Sequence, residues 1–212
     1  MGQKKPRGRK HMIEIGSNRK VIHDQALPET KPDIEWIVAK GWATAVESKD
    51  PGVFDVASLE KLRENAHDFT VRTCEGKIKY LQVTEFIGDP NFHGDYEAAK
   101  KQHSAGERFN KVLAQIDNKA RRYGGDTKNV VLLIYVTDFR HNIMPIISVL
   151  GTLFDSVPPA FEQIYHVSVK PDGSAAVDVI HPFRGTLLSE DQIRFRLGGT
   201  VYTPGPEDII DK

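Results

Sequence analysis

The sequence predicts an α/β fold, a three-layer sandwich in which helices flank a central mixed β-sheet. Three stretches carry that prediction. The run NVVLLIYV at 129–136 is unbroken apolar and too short for a lone buried helix, so it fits a central strand covered on both faces. ERFNKVLAQIDNKARRY at 107–123 places Phe109, Val112, Leu113, Ile116, Ala120 and Tyr123 at i, i+3, i+4 spacing, an amphipathic helix closed by Gly124-Gly125. DFTVRTC at 68–74 and KIKYLQVTEF at 77–86 meet at Glu75-Gly76, a turn of hairpin type. Helices, a hairpin, a long helix, a buried strand, a helix and further strands follow one another, which favours a mixed sheet over a strictly alternating parallel one.

Taken in order, the first 32 residues form a basic, disordered arm and an extended, proline-punctuated lead-in. Residues 1–11 resemble a cloning leader, with Met12 the natural start. DIEWIVAKGWATAV at 33–46 sets Ile34, Ile37, Val38 and Trp42 at helical spacing behind Asp33 as N-cap. SLEKLRENA at 58–66 reads as a second helix capped by Ser58. GDPNFHGD at 88–95 is a loop by composition. NIMPIISVLGTLFD at 142–155 is helical, with Pro145 tolerated in the first turn. FEQIYHVSV at 161–169 and SAAVDVIHP at 174–182 are strands around Pro171-Asp172-Gly173. The α/β domain therefore covers 33–182, and 183–212 form a polar C-terminal extension with a short helix at SEDQI.

Composition narrows the classes. With 29 Lys plus Arg against 29 Asp plus Glu, the molecule offers no net field to attract nucleic acid or an anionic membrane, so such a role needs a local patch. The single cysteine, Cys74, excludes an internal disulfide framework and fits a reducing, cytoplasmic setting. Its surroundings on a strand suggest a small buried apolar residue rather than a nucleophile. No apolar run approaches the roughly 18 residues of a membrane span. His93 and His103 lack zinc spacing, and there is no P-loop, nucleophile elbow or dinucleotide fingerprint.

Alternation along 77–86 puts Ile78, Tyr80, Gln82, Thr84 and Phe86 on one strand face, and Lys79, Leu81, Val83 and Glu85 on the other. Asp68-Phe69 on one strand, LQVTEF after a Gly-containing turn, then a long helix and VVLLIYV, resemble the PD-(D/E)XK nuclease-like superfamily, the restriction-endonuclease-like fold, over about residues 33 to 182. That family has an aspartate, a gap, then acid-x-lysine on the next strand. The resemblance implies Mg²⁺-assisted phosphodiester hydrolysis in DNA or RNA, with two acids holding the metal and a lysine stabilising charge.

Carried over residue by residue, Asp68 matches the aspartate, Gln82 stands at the second acid, Val83 offers a backbone carbonyl, and Thr84 stands where lysine is expected. Asp68, Gln82 and Val83 are the implied metal ligands. Gln82 brings less charge than an acid, and Thr84 cannot replace a cation. Glu85 is an additional acid if a bulge turns it. Lys119, with Gln115 one turn earlier, is the amine that reaches the same phosphate from the helix, and Arg122 joins it in contacting nucleic acid.

Each residue also has a plainer role: Asp68 bonding local backbone N–H groups, Gln82 and Thr84 a satisfied polar pair, Lys119 covering apolar surface. Glu35, Glu60 and Glu64 remain alternatives for a further metal acid. An inactive nuclease fold binding nucleic acid or a protein partner is the alternative function, an unrelated α/β scaffold a third, and a homodimer is a possible assembly.

Overall fold

The computed structural model describes residues 9–15, 20–28, 30–49, 51–62, 67–87, 104–124, 127–137, 141–169 and 174–182. Strands β1 (Arg9–Ile15) and β2 (Lys20–Ala26) form an antiparallel two-stranded sheet. This pairing replaces the disordered arm and extended lead-in expected over much of that stretch. Helix α1 (Lys31–Lys49) follows, then β3 (Phe54–Lys61), β4 (Phe69–Thr73) and β5 (Ile78–Glu85). Helix α2 (Ala105–Arg122) leads to β6 (Val130–Tyr135), a 3₁₀ turn at Met144–Ile146, α3 (Ile147–Ser156), β7 (Gln163–Val169) and β8 (Ala175–His181).

The six strands β3 to β8 lie in chain order in one mixed sheet. β3, β4 and β5 form an antiparallel meander, β5, β6 and β7 run parallel, and β8 returns antiparallel to β7. Parallel neighbours require a crossover, which α2 and α3 provide. The α/β class and the mixed sheet therefore agree with the sequence reading.

Alternation in the parallel strands divides two cores. Leu81, Val83, Val131, Leu133, Tyr135 and Val167 pack with Ile34, Val38 and Trp42 of α1. Leu132, Ile134 and Ile164 pack with Val112 and Ile116 of α2 and Leu150 and Phe154 of α3. β6 is buried along its whole length, which explains its unbroken apolar sequence. A 19-residue helix is about 28 Å long, comparable to the roughly 24 Å width of six strands. α1 accordingly touches both sheet edges, β3 and β8. Trp42 anchors it, with ring centroids 5.1 Å from Phe54 and 5.6 Å from Tyr165.

Local signals decide the ends. The carbonyl of Thr30 accepts from Asp33 N and Ile34 N, both at 3.2 Å, and the Thr30 hydroxyl bonds the Asp33 carboxylate. Thr30 thus caps α1 one turn earlier than the expected Asp33, with Pro32 inside the first turn where its missing N–H costs nothing. Ser104 and Glu107 close a reciprocal capping box on α2, and Gly124, at φ +63°, ends that helix in the left-handed region. Gly76, at φ +82°, turns the β4–β5 hairpin.

One element differs in kind. Residues 58–61 belong to strand β3, not to the helix expected at 58–66. Tertiary pairing overrides local propensity here: Glu60 and Lys61 pair with Thr70 and Phe69, and the Ser58 hydroxyl accepts from Arg72 N at 2.7 Å while donating to Asp55 O at 2.5 Å. Ser58 thus fills the bulge between Asp55 and Glu60 rather than capping a helix. Cys74 is exposed, not buried, because it lies where the strand gives way to the turn. The 88–95 loop, the 171–173 turn, SEDQI and the 183–212 extension lie outside the described residues. No helix among the described residues is long and apolar enough to cross a membrane.

Gly41 measures how closely α1 approaches β8: a Cβ there would stand 2.8 Å from Ala175 Cβ. Gly106 in α2 has open space around the same position. Replacing glycine by alanine within a helix is worth roughly 0.5–1 kcal/mol where space permits. Gly106→Ala is expected to raise the midpoint of thermal unfolding, and Gly41→Ala to lower it because the overlap outweighs the propensity gain; parallel thermal melts followed by circular dichroism check both.

Candidate functional site

Helix α2 presents Gln115, Lys119 and Tyr123 at i, i+4, i+8, a single polar stripe beside its apolar one. It lies along the face of β5 that carries Gln82 and Thr84. Gln115 Nε2 donates to Thr84 Oγ1 and to the Glu85 carbonyl, both at 2.8 Å. The Tyr123 hydroxyl donates to Gln82 Oε1. Lys119 stands between these two contacts on the stripe.

Asp68 enters from the hairpin. The β4–β5 ladder ends at the Phe69–Leu81 pair, while β5 continues to Glu85. The next amide of β5 that needs a partner on that side belongs to Val83, and Asp68 Oδ2 accepts it at 2.8 Å. The same oxygen accepts Gln82 Nε2 at 2.5 Å. A carboxylate can only accept, so the Gln82 amide must turn its nitrogen to Asp68 and its oxygen to the Tyr123 hydroxyl. The result is a directed chain, Tyr123 to Gln82 to Asp68. Asp68 Oδ1 has no hydrogen-bond partner among the described residues.

Charges from three elements surround this chain. Glu35, in the second turn of α1, is buried, and burial raises its carboxyl above the usual range; Lys31 opposes the shift, Asp68 adds to it and Lys119 opposes it more weakly. Lys31 Nζ stands 3.4 Å from Glu35 Oε1. Lys119 is half-buried, and burial lowers its amine, with Asp68 resisting and Lys31 and Arg122 reinforcing the shift. Its amine has no hydrogen bond or ion pair among the described residues. Burial, then the Asp68 charge, push the Tyr123 phenol up to about 12, so it remains a proton donor at neutral pH.

His67, adjacent to Asp68, is sandwiched between two rings. Its centroid lies 4.7 Å from Tyr80 and 4.8 Å from Tyr123, with interplanar angles of 27° and 24°. Burial lowers its pKa against the pull of Asp68, which favours the neutral imidazole.

Of the residues singled out in the sequence, Asp68 and Gln82 are hydrogen-bonded, Thr84 is held by Gln115, and Lys119 and Glu35 lie within electrostatic range of Asp68. Glu60 is exposed on the edge strand opposite Thr70, and Glu64 lies outside the described residues. The Glu85 carboxylate accepts from the Thr137 hydroxyl instead of joining Asp68, as regular alternation directs and without the bulge its inclusion required. The Val83 carbonyl accepts from Gln82 Nε2 at 3.3 Å. Arg122 is exposed beside Lys119 and Tyr123. His93 and His103 lie outside the described residues. Tyr123 and His67 are the additions. Tyr123 was hidden in the apolar stripe, and its i+8 spacing from Gln115 was the available signal.

As arranged, Gln82 offers Asp68 an N–H rather than an oxygen. Among the described residues no group of three or more His, Cys, Asp or Glu side chains is placed to hold a metal. Hard cations take oxygen ligands, yet Gln82 turns an N–H toward Asp68 and spends its oxygen on Tyr123. No protein-family model, curated protein or solved structure matches the chain.

Two substitutions test the electrostatics. Gln82→Glu replaces a donor with a second carboxylate facing Asp68, an expected cost of about 2 kcal/mol at pH 7. Repulsion raises the pKa values of the pair in the folded state, so stability is retained at low pH and lost as pH rises through those values. The melting-temperature deficit against wild type should therefore be larger at pH 7 than at pH 4.5, and Mn²⁺ should reduce it. Lys119→Met removes a desolvated ammonium. Because the folded pKa lies below the unfolded value near 10.4, wild type gains stability as pH climbs between the two. The variant's advantage in melting temperature should be full at pH 7 and shrink through that window.

Proposed function

We propose that this chain is a restriction-endonuclease-like module of the PD-(D/E)XK type that binds nucleic acid at the α2–β5 site without metal-dependent cleavage. One observation carries the reading: the Gln82 amide donates to Asp68 at 2.5 Å, so a neutral donor satisfies the carboxylate that a cation would otherwise serve. Lys119 supports the binding half of the proposal. A desolvated amine without a hydrogen-bond partner among the described residues is costly to keep, and it is suited to a phosphate oxygen arriving from solution. Lys31 and Arg122, which interact electrostatically with Lys119, extend the positive side of the site.

A specific observation favours a second reading, a Mg²⁺-dependent nuclease acting on DNA or RNA. Glu35, Asp68 and Lys119 share one electrostatic neighbourhood, two acids and an amine as such hydrolysis requires. That reading requires Gln82 to turn its oxygen toward Asp68 and release Tyr123.

The test is fluorescence anisotropy with labelled DNA and RNA, alongside gel assays of strand cleavage, in EDTA, Mg²⁺ and Mn²⁺. Binding is expected to be unchanged by EDTA, weakened about tenfold by Lys119→Ala and less by Arg122→Ala, with strands intact throughout. Metal-dependent cleavage abolished by Asp68→Ala supports the nuclease instead, and the absence of binding to any nucleic acid removes both readings.

A further inference from the structure

The face of the hairpin that bears Gln82 continues away from the site. Successive cross-strand positions are Asp68 beside Gln82, then the Thr70–Tyr80 pair, then Arg72–Ile78. From Gln82 to Ile78 is four residues along the strand, about 13 Å. Over the last two pairs opens a pocket of about 630 Å³, lined by Thr70, Arg72, Ile78 and Tyr80 together with Asp55 and Glu60 of the bulged edge strand. That volume lies within the range of small-ligand sites, roughly 300–1,000 Å³.

Two features of the pocket suit a ligand. Its charged groups are unspent: among the described residues the Arg72 guanidinium and the Asp55 and Glu60 carboxylates have neither hydrogen bonds nor ion pairs. A donor fork and two acceptors therefore face one cavity. Its wall is aromatic and continuous with the site: Tyr80 lines the pocket and stacks on His67, which stacks on Tyr123, whose hydroxyl holds Gln82. Ile78, half exposed at 51%, adds an apolar surface at the far end.

We propose that this pocket receives an unpaired nucleobase, and that the nucleic acid bound at Lys119 is single-stranded. The inference rests on the nucleic-acid reading above and deepens it. Base edges carry donors and acceptors together, so Asp55 and Glu60 accept from base N–H groups while Arg72 donates to base carbonyl or ring nitrogen atoms. Two carboxylates would repel a phosphate, which assigns the backbone to Lys119 and the base to the pocket. A duplex buries those edges in its own pairing, and a pocket on a sheet face reaches them only in a strand that exposes its bases. A few nucleotides span the roughly 13 Å from Gln82 to Ile78.

The experiment compares a fluorescein-labelled mixed-sequence 12-mer, as single strand and as duplex, in DNA and RNA, against wild type and the Tyr80→Ala, Arg72→Ala and Lys119→Ala variants. The single strand is expected to bind at least about tenfold more tightly than the duplex, the scale of one stacked base. Arg72→Ala and Tyr80→Ala should each remove about that factor for single strands and leave duplex binding within twofold. Arg72 is exposed, so its variant remains informative if loss of the Tyr80 stack impairs folding. Equal binding of both forms, weakened by Lys119→Ala but not by Arg72→Ala, overturns the pocket and leaves the nucleic-acid reading standing. Binding of neither form overturns both.

Discussion

The structure depends on how one amide is satisfied where two strands of unequal length part. β5 continues past the Phe69–Leu81 pair that ends its ladder with β4, still parallel to β6 on its other side. A buried N–H without a partner costs about 1–3 kcal/mol, and Val83 would be in that position. Asp68 resolves this by folding its carboxylate under the strand. A charge is thereby fixed next to Gln82, beneath α2 and within the electrostatic reach of α1. The remaining features of the site accommodate that charge: the Gln82 amide, the Tyr123 hydroxyl that orients the amide, and the Lys119 amine.

The direction of α2 determines which residues answer the charge. Gln115 meets the C-terminal part of β5 at Thr84 and Glu85, while Tyr123, eight residues later, meets Gln82. The helix therefore descends as the strand ascends, as a crossover between parallel β5 and β6 requires. Eight helical residues cover about 12 Å, whereas Gln82 and Thr84 are about 7 Å apart. The two outer side chains converge on the strand, and Lys119 between them is left with neither contact. An amine held over a polar strand without a hydrogen bond among the described residues is a local conflict between stability and sequence.

Much of this arrangement was legible because it follows from period. Alternation in 77–86 assigned Gln82 and Thr84 to one face, and the 3.6-residue repeat set Gln115 and Lys119 beside the apolar stripe of α2. Glu85 obeys the same alternation, which is why it turns to Thr137. The illegible parts depend on tertiary partners. Residues 58–61 contain Leu, Glu and Lys, good helix formers, and become a strand only because β4 offers a pairing edge. Tyr123 counts as an apolar member of a helix until the position of its hydroxyl is known, and His67 acquires meaning only from the two rings around it. The path of α1 across the sheet puts Glu35 within electrostatic range of Asp68, and sequence spacing contains no trace of that path.

A hydrogen-bonded chain and a metal centre make opposite demands on the same three positions. Metal ligation needs oxygens converging on a point, with mutual repulsion relieved by the cation. Tyr123, Gln82 and Asp68 alternate donor and acceptor, so each group relieves the next and no cation is needed for the fold to close. An amide at position 82 accomplishes this in the volume that a glutamate would occupy. The concavity, the nearby amine and the adjoining aromatic wall then stand beside a network that closes without a cation.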